Sequence, residues 1–265
     1  MPLTPFQETI ARLLSAHRDE ESYLAGGAAM HIEPNSLRYS NDLDYFQDSE
    51  SRVASAFKSD RELLVEQGYS IDVTLDRPGF IRAIVKKGQT IGNATKIEWV
   101  HDTAWRFMPL IKNEVAGLML HPVDLAINKA LALVGRDEPR DFIDTIHTHQ
   151  TVLPLGAIIW AASGKDPGFS PGMLLELLRR RGRLRPEDLA RLHLATPIDL
   201  PAFKQCWLDA LDAAQCFIQS RPPNELGCLY YSACDKRFVM PQEGDEVVPH
   251  YGRPGGVLPV ISPAH

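Results

Sequence analysis

Little in this chain suits a secreted, membrane-spanning or disulfide-stapled protein. Cysteine is scarce and late: Cys206, Cys216, Cys228 and Cys234 form no Cys-x-x-Cys pair. That spacing argues against a zinc site and leads us to expect reduced thiols and a cytoplasmic location. No run approaches the roughly eighteen consecutive apolar residues that a membrane-crossing helix requires. The segment Met1 to Ile10 lacks a basic stretch followed by an apolar core, so no secretory signal is expected. A Gly-x-Ser-x-Gly elbow, a Walker loop and a dinucleotide-binding glycine fingerprint are all missing, which argues against the hydrolase, P-loop and Rossmann chemistries. There is no internal repeat.

Positive charge is also in short supply. The formal net charge of −6 argues against a protein that grips nucleic acid over its whole surface. A local basic groove remains compatible with it. Arg179, Arg180, Arg181, Arg183 and Arg185 are the densest cluster. They either complement the dipole at a helix end before Gly182, or form a patch for an acceptor such as an RNA backbone.

What is present is a chain of 265 residues with 44% hydrophobic and 23% charged content, ordinary for a globular protein. Its most informative stretch runs from Gly26 to Phe46. A glycine pair, Gly26-Gly27, precedes a short helical segment, and Ser40-Asn41-Asp42-Leu43-Asp44 leads into a strand. Alternation along that strand puts Asp42 and Asp44 on one face, with Leu43 and Tyr45 on the other. Adjacent carboxylates repel unless a cation lies between them. Hard oxygen donors of this kind suit Mg²⁺, which commonly links one or two carboxylates to substrate phosphates. Mn²⁺ would serve equally. The glycine turn offers backbone that a phosphate can approach closely. Asp-x-Asp also serves sugar-nucleotide glycosyltransferases, but those normally place it after a longer nucleotide-binding region than the residues before Asp42.

These residues resemble a known family. Gly26-Gly27, then Arg38-x-Ser40-x-Asp42-x-Asp44 with Tyr45-Phe46, is similar to the abortive-infection nucleotidyltransferase toxins of AbiEii/AbiGii type, a branch of the polymerase-beta-like nucleotidyltransferases. The likeness continues at Leu125-x-x-x-Lys129-x-Leu131-Ala132-Leu133-x-x-Arg136-x-x-x-Arg140-Asp141-x-x-Asp144, over roughly residues 20 to 150. It implies an α/β (α+β) fold: a mixed sheet with flanking helices, followed by a mainly helical half. It implies transfer of a nucleotide from ATP or another nucleoside triphosphate to an acceptor hydroxyl, on a tRNA or other RNA end or on a protein. It further implies a toxin held by a cognate antitoxin. An enzyme that modifies a small molecule, or a non-catalytic binding module, are the alternatives.

Residue by residue, Asp42 and Asp44 are the expected metal ligands, while Gly26, Gly27, Arg38 and Ser40 are expected around the triphosphate. Two-metal phosphoryl transfer generally uses a third carboxylate. Glu98, in the strand-like Thr95 to Val100, is the best-placed candidate, although the related enzymes usually carry aspartate there. Its alternative is a solvent-facing strand residue, and Asp72 and Asp102 are further options. Lys129, amid apolar Leu125, Ala126, Ala132 and Leu133, is expected to meet phosphates or to pair with Asp141 or Asp144. Asp141 and Asp144 share a helical face. By resemblance Asp141 is an essential acid, and an ion pair with Arg136 or Arg140 is the competing role. His147 and His149, two residues apart, point to different sides of a helix and suggest no zinc site.

Periodicity predicts helices at Thr4–His17, Ala28–Ile32 (ended by Pro34-Asn35), Ser51–Gln67, His121 to Gly135, Asp137 through Ile146, Gly156–Ala162, Pro171–Arg181, Pro186–His193 and Pro201–Gln219. Strands are expected at Tyr23–Ala25, Leu43–Phe46, Tyr69–Leu75, Phe80–Lys86 and Thr95–Val100. A hairpin is expected from Cys228–Tyr231 and Arg237–Met240. The organisation expected is an α/β domain over 1–117, a helical domain over 118–220, and a hairpin with an extended tail over 221–265.

Overall fold

The computed structural model describes residues 3–32, 36–88 and 92–260. Pro34-Asn35, the expected helix stop, lies outside them. Contacts divide the chain into two units. The first comprises the chain up to Ala104 with Pro109–His121 and His193–Thr196, and the second comprises Trp105–Met108, Pro122–Leu192 and everything from Pro197 onward.

The first unit begins with α1 (Pro5–Leu14), whose start is secured by a reciprocal cap. The Thr4 hydroxyl accepts from the Gln7 amide at 3.1 Å, and the Gln7 side chain accepts from the Thr4 amide at 2.9 Å. Then follow β1 (Ser22–Ala25), α2 (Gly26–Met30), β2 (Asp42–Gln47), α3 (Glu50–Glu66), β3 (Ser70–Arg77), β4 (Phe80–Lys86) and β5 (Ala94–His101). After β6 (Trp105–Arg106), which belongs to the second unit, come β7 (Ile111–Asn113) and β8 (Gly117–Met119). The sheet has seven strands in the order β3-β4-β5-β2-β1-β8-β7. β2 runs parallel to β5 and β1 parallel to β8, while the other pairs are antiparallel. The strands β7 and β8 were not legible in the sequence, since three residues each are too few to show a period.

One sheet face is apolar. Leu43, Tyr45, Ile81, Ala83, Val85, Ile97 and Trp99 are all buried. The Trp99 ring meets the edge of Phe57 from α3 at 5.0 Å between centroids. Beneath them lies a buried carboxylate, Asp60. It accepts from the Arg18 guanidinium at 2.5 and 2.7 Å and from the Trp99 indole at 2.8 Å, and the His17 ring lies 2.9 Å away. That network joins the segment just after α1, the middle of α3 and β5.

The second unit holds α4 (Pro122–Arg136), α5 (Pro139–Thr151), α6 (Leu155–Lys165), α7 (Pro171–Arg179), α8 (Pro186–Leu189) and α9 (Leu200–Ser220). Every residue of α6 from Leu155 to Ser163 is buried, as befits a helix apolar all round and packed against α4, α5, α7 and α9. The expected hairpin forms as β9 (Leu229–Ser232) with β10 (Arg237–Val239). The stretch after Pro241 differs from the extended tail expected. Within it β11 (Val247–His250) pairs with the other edge of β9, and β12 (Arg253–Pro254) pairs with β6. Ladder bonds to distant residues give no local period to read.

Two helix ends also differ from expectation. α4 continues through Gly135, and Asp137 takes the left-handed conformation (φ 50°), so the turn falls two residues later. α8 stops at Leu189, short of the His193 expected, because residues beyond it pair elsewhere. The Tyr39 amide donates to the His193 carbonyl, and the Ala195 amide to the Leu37 carbonyl, both at 2.8 Å. Among the described residues no helix is long and apolar enough to cross a membrane.

Removing a buried carboxylate with several donors leaves a charged guanidinium without compensation. Asp60→Ala should therefore lower unfolding free energy by about 3–5 kcal/mol in urea titration. A loss well under 1 kcal/mol would show that the network is not what anchors α3.

Candidate active site

The polar face of the sheet is built around β1 and β2. Antiparallel pairing sets Ala25 opposite Asp44, so the chain leaves β1 at Gly26 beside the Asp44 side chain. Gly26 adopts φ 62°. A Cβ placed there would lie 2.7 Å from Asp44 Cγ and 2.9 Å from its Cβ, inside van der Waals contact. Only glycine lets this carboxylate and this bend share the space. Gly27 stands in the same relation to the preceding loop: its Cβ would lie 3.0 Å from an Arg38 guanidinium nitrogen and 3.1 Å from Ser40 Oγ. Gly26, Gly27, Arg38, Ser40 and Asp44 are thus brought together.

Ser40 is held from two sides. Its carbonyl accepts from the buried Gln7 amide at 3.0 Å, and its hydroxyl donates to the Asp42 carbonyl at 2.9 Å. Ser40 Oγ also lies 3.4 Å from Asp42 Oδ1. Arg38 is buried and donates to the Tyr39 carbonyl at 3.0 Å, and residues 37–39 lie along 193–195. Both side chains therefore brace the loop that delivers Asp42.

Parallel pairing of β2 with β5 sets Asp42 opposite Lys96 and Asp44 opposite Glu98. The four side chains alternate with the buried Leu43, Tyr45, Ile97 and Trp99, so they share the polar face. Lys96 Nζ lies 2.7 Å from Asp42 Oδ2 and donates to Glu98 Oε1 at 2.9 Å. The same Glu98 oxygen accepts from Arg82 Nε of β4 at 2.8 Å. With 13% of its side chain exposed, Glu98 is not the solvent-facing residue of one reading. Burial would lower the Lys96 pKa, but bonds and charge from Asp42 and then Glu98 outweigh it and raise the ammonium above its ordinary value. Lys96 and Arg82 escaped the sequence reading. Their only signal was cross-strand register, which the one-dimensional chain does not carry. Asp72, by contrast, is exposed on the outermost strand, β3.

Asp42 and Asp44 present hard oxygen donors on one face, with the Asp44 carboxylate set into a side-chain-free bend. That donor set fits Mg²⁺ or Mn²⁺. Among the described residues, no three His, Cys, Asp or Glu side chains gather into a metal-holding group.

The other expected residues lie in the second unit. Lys129 Nζ sits 3.2 Å from Asp141 Oδ1 and 2.8 Å from Asp144 Oδ2, with all three side chains buried. Arg136 adds bonds of 2.5 and 2.9 Å to Asp141. Burial would raise the Asp141 pKa, yet the Arg136 bonds and the Lys129 charge hold it below the usual carboxylate range. The Lys129 ammonium is thus engaged by both aspartates, the pairing weighed above. In the arginine-rich segment, Arg179 donates to Gln215 at 2.6 Å and Arg181 to the Val134 carbonyl at 2.5 Å, with Gly182 left-handed at φ 80°. These contacts fit the helix-ending role.

No family model matches the sequence, and no curated protein matches it. Solved structures do match in shape. A proposed nucleotidyltransferase from H. pylori superposes with a TM-score of 0.51 at 17% identity, over 81% of this chain and 93% of that one. JHP933 from Helicobacter pylori gives 0.50 at 17% identity, over 81% and 90%. The likeness is one of fold, and it agrees with the α/β nucleotidyltransferase fold that the sequence resemblance implied.

Gly26→Ala should destabilise the protein more than Gly68→Ala, which shares a left-handed backbone (φ 77°) but faces open space. The expected loss is about 1 kcal/mol at Gly68 and a further ~1–3 kcal/mol from overpacking at Gly26. Equal losses in chemical denaturation would mean that Asp44 gives way freely and that the bend does not hold it.

Proposed function

We propose that the protein is a divalent-metal-dependent nucleotidyltransferase. The observation that carries this reading is the packing of the Asp44 carboxylate into the Gly26 bend, beside Asp42 on one sheet face. Asp42 and Asp44 would hold the ion, which when bound neutralises charge on a nucleoside triphosphate. Gly26 and Gly27 leave the backbone open for the triphosphate to approach. Ser40 and Arg38 fix the loop that aims Asp42. The acceptor hydroxyl attacks the α-phosphorus, forming one P–O bond as the bond to the β-phosphate oxygen breaks. Pyrophosphate leaves, and the hydroxyl proton passes to solvent or to a carboxylate of the site.

This chemistry is assigned to the sheet-bearing part, within the expected 1–117 domain. Lys129 and Asp141, with Asp144 and Arg136, are assigned to holding α4 against α5. Phosphate binding by Lys129 rests on its apolar helical surroundings in the sequence and on the resemblance, and an acid role for Asp141 on the resemblance alone. The same resemblance supports an RNA end, such as that of tRNA, or a protein as acceptor, and a toxin restrained by an antitoxin. A second reading, a module that binds nucleotide without turnover, is favoured by one contact: Lys96 already lies on Asp42.

Each α-labelled nucleoside triphosphate, mixed with the protein, Mg²⁺ and total tRNA or cell lysate, should yield a labelled product. Asp42→Asn and Asp44→Asn should each lower that rate about 100-fold or more, since such metal contacts contribute several kcal/mol. Equal labelling by the variants would refute the site. Mg²⁺-dependent triphosphate binding in calorimetry, with no pyrophosphate released, would favour the module.

A further inference from the structure

The polar sheet face carries more cation than a site built on three carboxylates would need. Reading across the strands, Asp42, Lys96, Glu98 and Arg82 form a row of alternating charge. Lys96 bridges the two acids, and Glu98 Oε1 takes both Lys96 and Arg82. Glu98 stands in register with Asp44, so its position on the face suits a third metal ligand, but its charge is already matched by two basic side chains. The cost of burying like carboxylates side by side is met here by lysine and arginine. A divalent ion joining Glu98 would have to displace at least one of them.

We infer that this site takes one divalent ion and not two, with Lys96 serving as a built-in second cation and Glu98 as the residue that positions it. The inference rests on the assignment of Asp42 and Asp44 as ligands given above. Lys96 is suited to the task because it is partly exposed (28% of its side chain), so its ammonium is tethered at the site rather than sealed in the core. An ammonium there offsets phosphate charge as a point charge on a flexible stem, without a coordination geometry to satisfy. It also draws charge from Asp42 and so weakens that residue's hold on a metal. Arg82, more exposed at 39%, still holds Glu98 in place when Lys96 moves toward a substrate.

Mn²⁺ binding followed by electron paramagnetic resonance, with calorimetry alongside, tests this without reference to turnover. The wild-type protein should bind one Mn²⁺. Glu98→Gln should still bind one, with affinity changed less than about threefold. Lys96→Met removes the ammonium that Asp42 and Glu98 share, so it should bind a second Mn²⁺ or bind the first at least about tenfold more tightly. Lys96→Arg, which keeps the charge, should return to a single ion of wild-type affinity and guards against misfolding of the methionine form. Two ions in the wild type, one of them lost in Glu98→Gln, would overturn the inference and make Glu98 a ligand. An unchanged stoichiometry and affinity in Lys96→Met would overturn the role of Lys96. Absence of binding in the wild type and in every variant would instead defeat the assignment of Asp42 and Asp44.

Discussion

The Asp44 carboxylate and the bend at Gly26 compete for one small volume, and the architecture of the polar face follows from how that competition is resolved. Because Gly26 has no side chain and tolerates φ 62°, the chain turns out of β1 directly over Asp44. The register that brings them together is enforced from below. Leu43 and Tyr45 must reach the apolar face with Ile97 and Trp99, and a slip by one residue would drive Asp42 and Asp44 into the core. Asp60, gathering Arg18 and Trp99, ties β5 and α3 into the same arrangement. The acids face outward because the hydrophobes beside them have no alternative.

Electrostatics then separates two lysines that look alike in the sequence. Each is flanked by two carboxylates within hydrogen-bonding or ion-pairing distance. Lys129 is buried with Asp141 and Asp144, and Arg136 bonds Asp141 as well, so moving the lysine would strand buried charge. Lys96 lies in a strand of the open face and keeps part of its surface in water, so its contacts can be exchanged at lower cost. Lys129 is held among buried partners, whereas Lys96 keeps contact with water. Neighbouring residue types alone singled out Lys129, for phosphates or for a pairing with Asp141 or Asp144.

Legibility in the sequence followed the range of the interaction concerned. Long amphipathic helices such as α1, α3 and α9, and strands β2, β4 and β5 with their alternating burial, were readable because i, i+2 and i, i+4 relations are local. Gly26, Gly27, Ser40, Asp42 and Asp44 were readable as a motif for the same reason. The strands β7, β8, β11 and β12 were not, nor was the pairing of 37–39 with 193–195. Apart from the local β7–β8 hairpin, those depend on hydrogen bonds between residues well separated in the chain, and their short lengths leave no period behind. Gly135 lies in the last turn of α4, which ends one residue beyond it, and Asp137 supplies the left-handed turn instead.

By itself, the amino-acid order determined that two aspartates share a strand face behind a glycine turn, and that sheet-forming residues precede helical ones. Those are consequences of side-chain alternation and backbone freedom, which act between near neighbours. Only the tertiary structure decided what stands beside the aspartates. The parallel alignment of β2 with β5 set Lys96 against Asp42 and Glu98 against Asp44, and β4 brought Arg82 to Glu98. Strand register is chosen by the packing of a whole buried face, and that choice settled which charges meet.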